Sequence, residues 1–139
     1  MTDPGQGFRW TETYSVNIEE LDHQHRGLFA IINRLNDALD TGQGARVMDG
    51  VLDELLDYAK FHFAAEERLL ELHKYPALAT HEMEHQAFAR NIHKYLEDYR
   101  AGKVGAPSAL LLFLQSWLRE HILKSDKAYS GFLNEKGVR

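Results

Sequence analysis

Seven histidine and acidic side chains lie at helical spacing on stripes that otherwise carry hydrocarbon: His25, His62, Glu66, His73, His81, His85 and His121. The first stripe runs Ile18, Leu21, His25, Leu28, Ile32, Leu35, Leu39, and the second Met48, Leu52, Leu55, Ala59, His62, Glu66, Leu69, His73. The third is Leu78, His81, His85, Phe88, Ile92, Tyr95, Tyr99; the fourth is Leu111, Leu114, Leu118, His121, widened by Leu110 and Trp117. Each steps by three or four residues, which marks one face of an α-helix. Pro76, Pro107 and the glycines at 42–44 and 102–105 separate these stretches, 18–39, 46–73, 77–100 and 108–124, and no sustained period of two signals a strand. Amphipathic helices joined by short turns predict an all-α, up-down-up-down four-helix bundle. Residues 1–139 read as one domain: an aromatic, aperiodic N-terminal arm over 1–17, with Phe8, Trp10 and Tyr14, strapped across a bundle over 18–134.

Burying one imidazole or carboxylate without a partner costs roughly 2–7 kcal/mol, so a small core does not hold this many by accident. Their axial positions suggest the reason. His25 and the pair His81 and His85 stand near the starts of the first and third helices; His62, Glu66 and His121 stand near the ends of the second and fourth. In an up-down-up-down bundle those places share one end. His62 with Glu66, and His81 with His85, are also four residues apart, which projects both members of a pair from one face about 6 Å apart. Imidazole suits iron, zinc, copper or nickel, and a bridging carboxylate suits a pair of ions. Five histidines and two acids exceed what one ion can use, so the pattern predicts a dinuclear centre. Asp126 is the available second acid, but five residues after His121 it would point about 140° away on a straight helix. It reaches the centre only if the helix bends or ends there.

Composition removes competing chemistries. The chain has no cysteine, which excludes disulfides, thiolate metal sites, iron–sulfur clusters and cysteine nucleophiles. A net charge of -5 argues against a nucleic-acid partner. The longest apolar run, 109–114, is far short of the roughly 20 residues of a membrane span, and residues 1–7 have no secretory pattern. The expectation is a cytoplasmic protein without a membrane or nucleic-acid partner. The mixed-charge surface makes a monomer the default.

The ligand pattern resembles hemerythrins, in particular the bacterial single-domain type, over nearly the whole chain. The resemblance rests on Trp10; Tyr14-Ser15-Val16 leading into Asp22-His23-Gln24-His25; Phe61-His62-Phe63 with Glu66-Glu67; Tyr75-Pro76 ahead of His81 and His85; and Trp117-Leu118, His121-Ile122, Asp126 and Tyr129. Leu70 stands where methionine is common in that family and Asn17 where glycine is common, and His73 is not a family ligand. The resemblance implies that His25, His62, His81, His85 and His121 are terminal ligands of two iron ions (Fe2+/Fe3+), bridged by Glu66, Asp126 and an oxo or hydroxo group. It also implies that the last ligand segment departs from regular helix, which accommodates Asp126.

With two six-coordinate irons, that ligand set leaves a single position open. The implied function is reversible binding of O2 as a hydroperoxide at one iron, for storage, delivery or sensing, with an oxygen-consuming protein as a fitting partner. The implied pocket wall is Leu118, which matches the family's pocket leucine, with Trp117, Ile122, Phe29, Phe63 and Phe88 as further candidates. No catalytic residue is expected. The alternatives are an O2 or redox sensor acting through a partner, and a di-iron enzyme scavenging peroxide or nitric oxide. Asp22 and Gln24 are candidate outer partners of His25, since ligating histidines need their second nitrogen held. His23 and His93 face elsewhere, and His73 lies about one turn past Glu66 at the helix end.

Overall fold

Four long helices stand on the four stripes: α1 (Glu19–Asp40), α2 (Ala45–Leu72), α3 (Leu78–Arg100) and α4 (Ala106–His121). A π-helical turn (Ile122–Asp126) and a short α5 (Lys127–Glu135) continue the last one, and a 3-10 turn (Glu12–Tyr14) precedes the first. The structure, a computed structural model, describes residues 8–42 and 45–139; residues 1–7 of the expected arm and 43–44 of the expected glycine turn lie outside it. Helices α1 and α2, α2 and α3, α3 and α4, and α4 and α1 pack pairwise, which closes the ring of an all-α four-helix bundle. Among the described residues there is no strand.

The local chemistry explains the boundaries. Acidic Glu19, Glu20 and Asp22 occupy the first turn of α1, where the exposed N–H groups favour negative charge. Gly105, at φ 78°, caps α4 in a left-handed conformation that most side chains resist, and Pro107 follows in the first turn, where its missing N–H costs nothing. Asn17 has φ 57°, the left-handed region that glycine enters freely and asparagine tolerates. The conformation accounts for glycine's suitability at this place.

The arm is held by named bonds. Phe8 stacks on Phe29 with ring centroids 4.3 Å apart, and Asn33 Nδ2 donates to the Phe8 carbonyl at 2.9 Å. The buried Asp22 carboxylate accepts from the Val16 N–H at 2.8 Å and from Ser15 Oγ at 2.6 Å. From the other side, Ser130 Oγ donates to the Val16 carbonyl at 2.6 Å. The arm is thereby tied to both α1 and α5.

Apolar packing falls into two separate clusters. The larger fills the bundle with Leu28, Ile32, Leu55, Leu110, Leu114, Leu118 and neighbours. The smaller closes one end with Val16, Ile18, Leu21, Leu70, Tyr129 and Leu133. On α1, His25 comes between Leu21 of the small cluster and Leu28 of the large one; on α2, His62 and Glu66 come between Ala59 and Leu70. The polar tier is sandwiched between two hydrocarbon layers, which limits its access to water.

Candidate metal centre

All seven side chains expected as ligands are buried, and Glu66, Asp126 and His25 have no exposed surface. They form two overlapping groups, His25, His62, Glu66 and Asp126 on one side and Glu66, His81, His85 and His121 on the other, with donor atoms within 4.8 Å of one another in each. The two carboxylates each divide their oxygens between the groups. Glu66 Oε2 lies 3.6 Å from His25 Nε2 and 3.4 Å from His62 Nε2, whereas Oε1 contacts His81 Nε2 and lies 3.2 Å from His85 Nε2. Asp126 Oδ2 is 3.0 Å from His25 Nε2, and Oδ1 is 3.2 Å from His81 Nε2 and 3.1 Å from His121 Nε2. The result is a two-histidine pole and a three-histidine pole, joined by two acids and facing each other through Nε2 atoms.

Asp126 enters through the π turn. A π turn closes hydrogen bonds between residues five apart, so the fifth residue returns to the face that the fourth occupies in an α-helix. The expectation of regular helix to residue 124 therefore gives way to helix to His121, one widened turn and further helix to Glu135.

The fit to metal ions can be tested on hydrogen bonds. His25 Nε2 and both Asp126 oxygens are buried and make no hydrogen bond, although they approach as closely as 3.0 Å. Atoms at that distance but misaligned for a shared proton are arranged as donors converging on a common ion. Imidazole nitrogens and carboxylate oxygens suit transition-metal ions, so the residues fit the group that the spacing predicts.

Without metal, protons take its place. Burial alone would lower the pKa of His25, but the Asp126 and Glu66 carboxylates beside its Nε2 outweigh it and push the value up to about 9. The same balance carries His81 to about 10. His62 goes the other way, because its burial dominates. Burial raises the pKa of Glu66 and Asp126, yet the surrounding imidazoles hold both below the usual carboxylate range. Because the His25 and His81 values are raised in the folded state, their stabilisation is complete below an unfolded value near 6.5 and is lost as pH rises through 9 to 10. The metal-free protein is expected to lose a few kcal/mol between about pH 7 and pH 10 in denaturant titrations, and a flat profile would contradict this. Metal binding must displace those protons, so apparent affinity should rise with pH over the same window.

The outward-facing nitrogens lean on residues of the preceding helix. Gln24 Oε1 of α1 lies 2.7 Å from His62 Nδ1 of α2, and Glu67 Oε2 of α2 lies 2.7 Å from His85 Nδ1 of α3. Glu84 Oε2 of α3 lies 3.0 Å from His121 Nδ1 of α4. Gln24 thus serves His62 rather than His25, and Asp22 serves the arm; His25 Nδ1 is buried without a partner. Glu67, Glu84 and Tyr129 were not assigned roles by their positions on the stripes. Tyr129 is fully buried and donates to Glu66 Oε2 at 2.8 Å; burial and then the Glu66 and Asp126 charges hold its pKa well above 10, so it remains a donor. Gln24 and Glu84 each immediately precede a ligand, and Glu67 immediately follows one, a regularity that could have flagged them. His23 and His93 are exposed, and His73 is half-buried outside both groups.

A small apolar pocket of about 20 Å³ lies against this tier, lined by Leu28, Ile32, Leu55, Ala59, Phe63, Phe88, Leu114, Trp117 and Leu118. Phe63 stacks on His85 with centroids 4.0 Å apart, and Trp117 on His121 at 4.4 Å. Of the expected pocket residues, Leu118, Trp117, Phe63 and Phe88 are walls, whereas Phe29 and Ile122 are not. Phe29 is engaged by Phe8 and Tyr14 of the arm, and Ile122 is packed in the main core.

Comparison with known proteins gives concordant findings. The family model described as Hemerythrin HHE cation binding domain matches residues 16–133. A bacteriohemerythrin of Stenotrophomonas maltophilia is 35% identical over 121 residues, 87% of this chain and 78% of its own. A bacteriohemerythrin of Clostridium acetobutylicum is 31% identical over 127 residues, 88% of this chain and 98% of its own. The crystal structure of a wild-type hemerythrin superimposes with a TM-score of 0.78 at 30% identity, over 88% of this chain and 94% of that one.

Proposed function

This chain belongs to the hemerythrin family, and from that premise we propose that it binds O2 reversibly at a pair of iron ions held by His25, His62, Glu66, His81, His85, His121 and Asp126. It is a di-iron, O2-binding protein, and the finer assignment is supported by one observation above the others. The two donor groups share Glu66, and both acids turn one oxygen to each group. Bound there with an oxo or hydroxo bridge, the iron pair would supply the electrons that reversible O2 binding requires.

The side chains supply the rest. The two-histidine pole offers one nitrogen fewer than its neighbour, so an ion held there by His25 and His62 would have room for O2. Leu28 and Ala59, one turn from His25 and His62, wall the cavity that would receive it. The cavity has room for about one water-sized molecule and is lined by hydrocarbon, so it favours an apolar diatomic over water. Keeping protons and water out is the protein's main chemical task, because either would drive reduced oxygen off and strand the metal in its oxidised form. Tyr129 and the layer around Leu70 close the opposite side.

A cavity of this size suits a diatomic ligand, and the role we propose is binding rather than catalysis. No helix among the described residues is long and apolar enough to cross a membrane. The setting we propose is the cytoplasm, a reducing compartment that favours the ferrous state.

The test is to load the protein with iron, reduce it without air, admit O2 and then remove it under vacuum. A visible band that appears and disappears over repeated cycles, with about two irons per chain by metal count, is the expected result. A band absent at full iron loading, or a single iron at saturation, would overturn the proposal. Leu118→Ala is expected to enlarge the cavity, admit water and speed decay of the oxygenated protein by roughly tenfold or more, about 1.4 kcal/mol off the barrier. An unchanged decay rate, followed by absorbance, would remove Leu118 from that role.

A further inference from the structure

The outer hydrogen bonds of the two poles differ in kind. At the three-histidine pole, His85 and His121 are each held at Nδ1 by a carboxylate, Glu67 at 2.7 Å and Glu84 at 3.0 Å. At the two-histidine pole, His62 is held by the neutral amide of Gln24, and His25 Nδ1 is buried without a hydrogen bond. Both carboxylates are partly exposed, 31% for Glu67 and 38% for Glu84, so their negative charge is tolerated there, whereas Gln24 is only 4% exposed.

From this asymmetry we infer that Glu67 and Glu84 are positioning residues that make the metal of the three-histidine pole the more easily oxidised of the two. The inference rests on the di-iron reading above. A carboxylate accepting from Nδ1–H draws the proton outward and makes the imidazole a stronger electron donor through Nε2. Its charge also favours the more positive metal ion by direct attraction. Both effects act at one pole only, because the other has an amide or nothing in the same place. The electron that leaves first therefore comes from the pole lacking the vacant position, which keeps the O2-facing metal ferrous for longer. Solvent screens each carboxylate, so the effect of one is on the order of tenfold in the oxidation equilibrium.

Glutamine is the informative replacement, because its oxygen can still accept from Nδ1–H while the charge is removed. Protein loaded with iron without air is titrated by spectroelectrochemistry as wild type, Glu67→Gln, Glu84→Gln and the double variant, with iron counted in each. The lower of the two one-electron potentials is expected to rise, about tenfold in equilibrium or about 59 mV per substitution. The two shifts should be close to additive, since each acts on a different histidine. Glu82→Gln removes from the same turn of α3 a charge that bonds no histidine, and should move the lower potential by clearly less than Glu84→Gln does. With two irons bound in every variant, unmoved potentials, or a shift confined to the higher couple, would overturn the inference and leave the di-iron reading standing. Failure of the wild type itself to hold two irons would instead remove the reading on which it rests.

Discussion

Glu66→Ala is expected to abolish metal binding at both poles at once. Each oxygen of this fully buried carboxylate faces a different set of imidazoles, so no other single side chain of α2 is shared in that way. Affinity should fall by more than the roughly 10- to 100-fold typical of losing an outer partner of a ligand. His62→Ala offers the contrast, because His62 belongs to one group alone. It should weaken one pole and leave the other able to take an ion. Metal counts and calorimetric titration with ferrous iron without air distinguish the two variants. If Glu66→Ala retained two tightly held irons, the shared-carboxylate geometry would be wrong.

Metal removal should produce the other large effect. The tier contains five imidazoles and two carboxylates between hydrocarbon layers, and metal binding contributes directly to the stability of whatever state assembles them. The loss is not that of seven bare polar groups. In the metal-free state His25 and His81 keep protons through neutral pH and partly neutralise Glu66 and Asp126. The expected difference is therefore several kcal/mol, or roughly 10–20 °C in melting temperature for a domain of this size. Scanning calorimetry of chelator-treated and iron-loaded protein checks it, and coincident melting temperatures would contradict the assignment.

The bundle and most of the centre were legible because they share one signal. His25, His62, Glu66, His81, His85 and His121 occupy helical positions that hydrocarbon should fill, and short turns bring those positions to one level. Asp126 was not legible from spacing, because five residues place it off the face of any regular α-helix; only the widened turn after His121 restores it. Glu67 and Glu84 escaped, and Gln24 was matched to His25 instead of His62, for a related reason. Each is one residue from a ligand, about 100° around its own helix, and is aimed at the histidine of the next helix rather than the centre. Periodicity along one helix carries no information on such crossings.

The π turn has one more consequence. Asp126 ends the turn and Tyr129 and Leu133 follow it on the same rod, so the aim of a ligand, of a phenol donor and of an end-plug leucine is set at one joint. Leu123 and Lys124 within that joint point to solvent and can be exchanged freely. Their number cannot: dropping or adding a residue there would swing everything beyond it by about 100°, taking acid, phenol and plug out of alignment together. At Leu123 and Lys124 the chain is a ruler, and selection should read its length rather than its letters.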